Sequence, residues 1–599
     1  MINLGDIIGI NKIFNLLRLF KGAFGKHKLE LIVIVLLGLV SSFFEGVGIS
    51  AIIPIFSFVA GQGVSSTDFI TKFIESAFNF FGIVYTFRTL IYLIGFLFVA
   101  RIFALFLIQY ITARIVFGYE RNMRNELFQS TVSAKWPFLV NQKVGHLDQL
   151  LITNTTNVSQ FFGFFATLII VSSKTIAYTL IAINVSFTVA VLTLLVGLLA
   201  FILFQPLFTK NKRISSEAEE QNRSIAHFTS QHVGGMKAIK IMSIEDEVAK
   251  RASGFFEKVR QLYVNMTIVR GTTEMLIRIV GLAFVGGVFV FMYKTPGFNF
   301  ASFAVIVYAI NQLFSQIQAA QTQFHAISAM TPYLDRTISY VNDSKNMKEE
   351  SKGEIAFSFN ESLKLTDLSF AYPQRGEVIS KVNLSINKGE MVGIIGPSGS
   401  GKTTIIDLIL RLYTPTEGLI QVDGKNVKEI ELKRWRDYIG YVSQDIFILN
   451  DTIKNNIIFY DKNVNEGDVV DSAKLVNIDD FIMSLPNKYD TVIGDRGVLL
   501  SGGQRQRIIL ARILARKPKL LILDEATSSL DGESEVVIKE AIDDLRGKTT
   551  ILIVAHRLST ISSVDKLVVL EGGKVTEVGR PDVLLKNKDS YFYRLNNLS

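Results

Sequence analysis

A glycine, four residues and then Gly-Lys-Thr stand directly after the apolar run MVGII (Met391 to Ile395) and directly before the apolar stretch IIDLILRL. The segment reads GPSGSGKTT: Gly396, Pro397, Ser398, Gly399, Ser400, Gly401, Lys402, Thr403 and Thr404. Strand, loop and helix in that order make a phosphate cradle. Its glycines let backbone N–H groups turn inward, the helix points its N-terminus at the anion, and Lys402 reaches the terminal phosphates of a nucleoside triphosphate. Thr403 is then the residue type that ligates Mg²⁺. A second constellation, LLILDE from Leu520 to Glu525, places two acids after four apolar residues of a buried strand. That order delivers Asp524 towards Mg²⁺ and Glu525 towards an attacking water.

The elements that must hold these residues divide the chain in two. It has 599 residues, 49% of them hydrophobic, with 46 Phe, 11 Pro and no Cys. The apolar residues concentrate before residue 330, so a membrane half followed by a soluble α/β half is expected. Lack of Cys excludes disulfides, thiolate metal sites and a thiol protease. The formal charge of +9 would suit nucleic acid, but a membrane protein with basic cytoplasmic loops reaches the same total.

Ile10 to Lys28 reads as an amphipathic helix on the cytoplasmic membrane surface, within an interfacial segment 1–28. Six apolar spans follow, at Leu29–Ala60, Thr89–Phe117, Phe161–Ile183, Phe187–Phe208, Thr267–Tyr293 and Phe300–Phe324, each able to cross a hydrocarbon core that needs about 20 helical residues. The polar linkers Gly118–Gln160 and Thr209–Met266 face the cytoplasm by the positive-inside rule, which puts both termini inside. The expected domains are a transmembrane domain over 29–330, a linker over 331–354 and a nucleotide-binding domain over 355–599. Strands are expected at Ile355–Phe359, Leu363–Phe370 and Gly418–Val422. Between the first two spans, DFITKFIESAFNFFG puts Phe69, Ile70, Phe73, Ile74, Ala77, Phe78 and Phe81 on one helical face. It is either a helix resting on the outer membrane surface or one packed against the neighbouring spans.

Glu45, Arg101, Lys174, Arg270, Glu274 and Arg278 lie inside the spans, where a charge at the bilayer centre costs about 2.5–3.5 kcal/mol. Arg270, Glu274 and Arg278 are spaced as an ion-pair ladder. Arg101 and Lys174 have no acid nearby in sequence, which leaves them as candidates for contact with a substrate. The resulting cavity would be net positive and suited to an anionic head group.

LSGGQ, Leu500 to Gln504, between the two nucleotide motifs is the signature of ATP-binding cassette (ABC) proteins, and six spans ahead of one cassette resemble a type IV exporter half-transporter over nearly the whole chain. The resemblance implies an ATPase using ATP and Mg²⁺. It also implies roles by position. Tyr372 would stack on adenine, and Gln444 would join Mg²⁺ to the membrane interface. Asp531 would lie at the dimer interface and His556 would contact the γ-phosphate, while TVIGDRG (Thr491 to Gly497) is the exporter contact segment. Ser501, Gly502, Gly503 and Gln504 form a second phosphate cradle, which in this family faces the opposite cassette. A homodimer is therefore expected, a heterodimer with a related half-transporter being the other arrangement. Lys135–Leu150, with Gly145, and His232–Glu247 resemble the coupling helices of the cytoplasmic loops.

The outer helix with unpaired basic residues in the spans is similar to flippases of lipid-linked oligosaccharides. Exporters of drugs, peptides or lipid A-like lipids, and ABC-gated channels or regulators, are the alternatives. A nucleic-acid partner is not expected, because the spans account for the basic charge. With the first span opening at Leu29 and no Cys, a leader-cleaving peptidase domain is not expected either.

Overall fold

The computed structural model describes residues 25–598 except 52–53, 56–68, 143–145, 294–299, 352, 374–375, 526–531 and 555–560. The chain separates into two compact units, one of residues 1–134 and 141–347, the other of 135–140 and 348–599.

The first unit is helical. Its long elements are α1 (Lys28–Ser50), α2 (Phe69–Phe80), α3 (Phe87–Val132), α5 (Thr155–Val185), α6 (Phe187–Leu203), α7 (Gln205–Gly234), α9 (Glu245–Met292) and α10 (Phe300–Asn346), with the short α8 (Met236–Met242) between α7 and α9, whereas the short α4 (Trp136–Val140) is counted with the second unit. Among the described residues five helices are long and apolar enough to cross a membrane, six if the pair α6 and α7, bent by 40°, counts as one span. The outward-facing apolar residues expected of lipid contact are present: Phe103 and Phe106 of α3 and Leu199 of α6 are exposed, while Ile108 and Ile115 are buried. Ile34, Ile108, Phe161, Phe162 and Leu334 bind α1, α3, α5 and α10 into one core; Ala200, Ile277, Ile306 and Phe314 join α6, α9 and α10 in another.

Several helix boundaries differ from the sequence reading. α10 continues without a break to Asn346, through much of the expected linker, because a helix leaving the bilayer can turn polar without losing its backbone hydrogen bonds. Similarly α3 and α9 run through the polar linkers and the spans as single long helices, whereas the fourth span breaks between α6 and α7, the latter carrying on into the linker. The expected surface helix over Ile10–Lys28 falls outside the described residues up to residue 24. α2 forms where its periodicity places it and packs Ile74 and Phe78 against Val47, Leu90 and Leu97, while Phe73, Phe80 and Phe81 stay exposed.

The second unit carries two sheets. One is antiparallel, β1 (Ser362–Tyr372), β2 (Gly376–Asn387), β4 (Glu417–Val422) and β5 (Lys425–Asn426), in the order β2-β1-β4-β5. The other is ordered β10-β9-β3-β8-β7-β6 and is parallel from β9 to β6, with β3 at Met391–Ile395, β6 at Ile439–Val442, β7 at Leu520–Asp524, β8 at Thr550–Val554, β9 at Lys566–Glu571 and β10 at Lys574–Gly579. Of the expected run Ile355–Phe359, only an isolated bridge from Ile355 to Ile430 forms.

Strands β3, β7 and β8 are buried along their whole length, which is why each reads as a continuous apolar run. Alternate residues serve opposite faces. Met391, Ile395, Leu521, Leu523, Ile551 and Ile553 enter one core; Val392, Ile394, Leu520, Ile522, Leu552 and Val554 enter the other. At about 1.5–3 kcal/mol per buried aliphatic side chain, this double burial fixes the ends of β3 and β7, and with them the catalytic loops.

Candidate functional site

β3 ends at the phosphate loop and β7 ends at the acids, with β8 between them, so parallel pairing opens both loops on the same edge of the sheet. The loop is built around glycine. Gly396 has φ 154°, and a Cβ there would stand 2.0 Å from the Leu570 carbonyl oxygen; at Gly401, φ is 102° and a Cβ would meet Ile379 at 2.4 Å. At Gly396 the backbone itself excludes a side chain, and at Gly401 the positive φ strains any residue but glycine. Helix α11 (Lys402–Ile409) starts at once, and Lys402 Nζ donates to the Gly396 and Pro397 carbonyls, each at 2.9 Å. The Lys402 side chain thus lies back along the loop. Burial lowers its pKa, partly opposed by Glu525 and Asp524.

The acids occupy different surroundings. Burial, and then the charge of Glu525, push the Asp524 carboxyl up to about 6, although hydrogen bonds from Tyr441 and Thr403 favour its ionised form. Glu525 sits at φ 50°, a left-handed conformation that costs a non-glycine residue about 1–3 kcal/mol. Its N–H donates to Val554 O at 2.9 Å, and Gln444 Nε2 donates to its Oε2 at 2.9 Å. The structure therefore brings together Lys402, Thr403, Gln444, Asp524 and Glu525. Tyr372 reaches the same loop, with its hydroxyl 3.3 Å from Thr404 Oγ1 and its ring against Tyr413 at 5.3 Å.

The signature segment is a helix start. Ser501 Oγ accepts from the Gln504 N–H at 3.2 Å and Gln504 Oε1 accepts from the Ser501 N–H at 2.9 Å, a reciprocal cap on α12 (Gly502–Leu514). Arg505 donates to the carbonyls of Gly497 and Leu500, tying this cap to the TVIGDRG segment. Among the described residues no hydrogen bond joins the signature to the phosphate loop. Asp531 and His556 lie outside the described residues, as does Gly145.

Two residues that the sequence reading missed belong to this site. Tyr441 donates to Asp524 Oδ2 at 3.5 Å from the adjacent strand β6. Asp407, on α11 five residues beyond Lys402, is pushed up to about 6 by burial and by Asp524. Its position one helical turn from Thr403 was the available signal, though an acid in an apolar helix has no motif of its own.

In the membrane unit the structure corrects one expectation. Arg101 is not free: its Nη2 lies 2.9 Å from Glu45 Oε1, and the same oxygen accepts from the Tyr178 hydroxyl at 2.5 Å. The pair spans α1, α3 and α5, so its members are far apart in sequence, and it offsets the desolvation that left Arg101 looking unexplained. Arg270 pairs with Glu274 at 3.3 Å, half of the expected ladder; among the described residues neither Arg278 nor Lys174 forms an ion pair. A cavity of about 590 Å³ opens between α5, α7, α9 and α10, with Asn211, Tyr263, Arg270, Glu274 and Gln321 on its walls. Neither Glu45, Arg101, Lys174 nor Arg278 lines it. Gln321 is 4% exposed and neither of its amide atoms has a hydrogen-bond partner, an arrangement that costs about 1–3 kcal/mol per unmade bond.

Comparison with known families settles the assignment. The model of the ABC transporter transmembrane region matches residues 31–320, and that of the ABC transporter matches residues 379–528. The chain belongs to the ABC transporter family. This ABC transporter is 31% identical over 508 residues to a protein of Staphylococcus aureus provisionally named a multidrug export ATP-binding/permease protein, covering 82% of this chain and 86% of that one. It is 30% identical over 474 residues to the heterocyst differentiation ATP-binding protein HepA of a Nostoc species, covering 78% and 77%. Its fold matches the structure of a bacterial Atm1-family ABC exporter with ATP bound, at a TM-score of 0.78 and 21% identity over 96% of this chain and 99% of that chain. The transporter is thus a multi-pass membrane protein whose ATPase domain drives export.

Proposed function

We propose that this transporter works as a homodimer that moves an amphipathic, lipid-linked substrate across the membrane, a lipid-linked oligosaccharide being one example. The observation that carries the reading is α2. It anchors Ile74 and Phe78 on α1 and α3 while presenting Phe73 and Phe80 outward, with Phe81 exposed in the turn that follows, a surface suited to lie among acyl chains beside the spans. Lys402 and the loop N–H groups hold the ATP phosphates, Thr403, Gln444 and Asp524 hold Mg²⁺, and Glu525 orients the water. Mg²⁺ supplies charge neutralisation between the phosphates. Ser501, Gly502 and Gly503 complete the partner's site, with Asp531 and His556 beside the nucleotide. The ATPase domain and both termini lie in the cytoplasm, and α4 and α8 pass closure of the cassettes to the spans.

The expected preference for an anionic head loses Arg101, which Glu45 already neutralises. A second reading, drug export, is favoured by the naming of the Staphylococcus relatives. Proteoliposomes separate the two. Fluorescent lipid-linked oligosaccharide should change leaflet with ATP in the parent and stay in Glu525→Gln, which binds ATP but turns it over orders of magnitude more slowly. Movement of a cationic dye without movement of the lipid would replace the lipid reading by the drug reading.

A further inference from the structure

We infer that the cavity between α5, α7, α9 and α10 is a recognition site for an uncharged, polyhydroxylated group: the glycosyl head of the substrate, bound through amides and hydroxyls and not through ionic contacts. This deepens the amphipathic-substrate reading and rests on it. The volume of about 590 Å³ falls in the range of about 300–1,000 Å³ that holds small ligands.

Charge is the first argument. The two charged groups on its wall, Arg270 and Glu274, are paired with each other at 3.3 Å, so the lining offers no uncompensated cation to a phosphate and no uncompensated anion to a cationic drug. The second argument is hydrogen-bonding capacity. Gln321 is buried, lines the cavity and has both its carbonyl oxygen and its amino group unengaged; Asn211 Oδ1, on the opposing helix α7, is buried and unengaged as well. A ligand group that both donates and accepts at neighbouring atoms meets that demand, and a sugar hydroxyl does both. Tyr263, whose hydroxyl already accepts from Asn222 at 3.0 Å, adds an amphipathic ring of the kind that lies against the C–H face of a sugar. A peptide would bring charged termini that this lining does not answer.

The test uses the full-length protein in phosphatidylcholine nanodiscs doped with either diglucosyl diacylglycerol or phosphatidylglycerol of the same acyl chains, with ATP turnover expressed relative to each variant's own undoped rate. The uncharged glycolipid should stimulate the parent, and Gln321→Leu and Asn211→Leu should each raise the half-saturating mole fraction about ten-fold, since a site built for hydrogen bonds discriminates strongly once they are lost. Gln321→Leu should also raise the apparent melting temperature of the lipid-free protein, because it removes buried polar atoms without partners; a merely structural glutamine would lower it. Stimulation by phosphatidylglycerol alone, or an unshifted response in both variants, overturns the inference while leaving lipid export standing. Failure of both lipids to stimulate, with no ATP-dependent change of leaflet by either, overturns the inference together with the lipid-substrate reading beneath it.

Discussion

If Glu45 and Arg101 are a structural pair, removing both should cost less than the two single losses added together. Glu45→Gln leaves the Arg101 guanidinium without its anion between α1 and α3, and Arg101→Gln leaves a carboxylate that is 4% exposed with only the Tyr178 hydroxyl. Breaking a buried pair from one side costs about 3–5 kcal/mol. At about 2 °C per kcal/mol for a large unit, each single variant should lower the apparent melting temperature in nanodiscs by about 6–10 °C. Glu45→Gln with Arg101→Gln leaves no charge behind, so its loss should be smaller than the sum of the singles by a coupling of about 0.5–3 kcal/mol. Tyr178→Phe should cost about 1.5–3 kcal/mol in the parent, as a hydrogen bond to a charged group does, and much less in the Glu45→Gln background. The assay is intrinsic fluorescence on heating at one fixed scan rate, because such unfolding is kinetic. A double variant whose loss equals the sum of the single losses would refute the pairing and return Arg101 to the list of substrate contacts.

Asp407→Asn tests the electrostatics of the apo cassette. Its carboxyl is raised from 3.8 to about 6, so the folded chain binds the proton more tightly than the unfolded chain, and the unfavourable contribution develops as pH rises through that window. The variant should therefore gain more thermal stability at about pH 7.5 than at about pH 4.5; a gain that is the same at both would contradict the assignment. Chains carrying Lys402→Ala mixed with equal amounts of Ser501→Arg chains should regain ATP turnover, up to about a quarter of the parental sites if exchange is random, whereas either variant alone has none. Recovery that is absent even when exchange is verified by cross-linking would argue against sites shared between chains. Gly396→Ala should weaken ATP binding about ten-fold or more, since the Cβ has to displace the Leu570 carbonyl; unaltered binding in a fluorescent-nucleotide titration would mean that this backbone is not what holds the phosphates.

Much of the nucleotide site was legible in the chain because its parts are contiguous. Gly396 to Thr404 and Leu520 to Glu525 each carry strand, loop and ligands in one stretch. Tyr441 and Asp407 escaped because what brings them to Asp524 is the neighbouring strand and the first turns of α11, and neither residue belongs to a fixed spacing. The membrane unit was legible as helices and much less so as contacts. Apolar length reports that a span exists, but it does not say which face of α3 meets α1, so the Glu45–Arg101 pair was invisible and Arg101 read as a lone cation. Helix ends were also hard to place at α10. The loss of apolar character near residue 330 marks where the helix leaves the hydrocarbon, and Asn346, where the backbone hydrogen bonds stop, is a different place.

The pairing of Arg101 with Glu45 and of Arg270 with Glu274 has an electrical side. Each pair is a dipole with no net charge, and in each the two side chains move with helices that are joined to one another by the pair itself or share one axis. Shifting such helices through the bilayer does not carry net charge down the field, where a single elementary charge would gain or lose about 2.3 kcal/mol per 100 mV. The two pairs therefore add no net charge movement to the conformational cycle, and any voltage dependence of transport has to come from other groups.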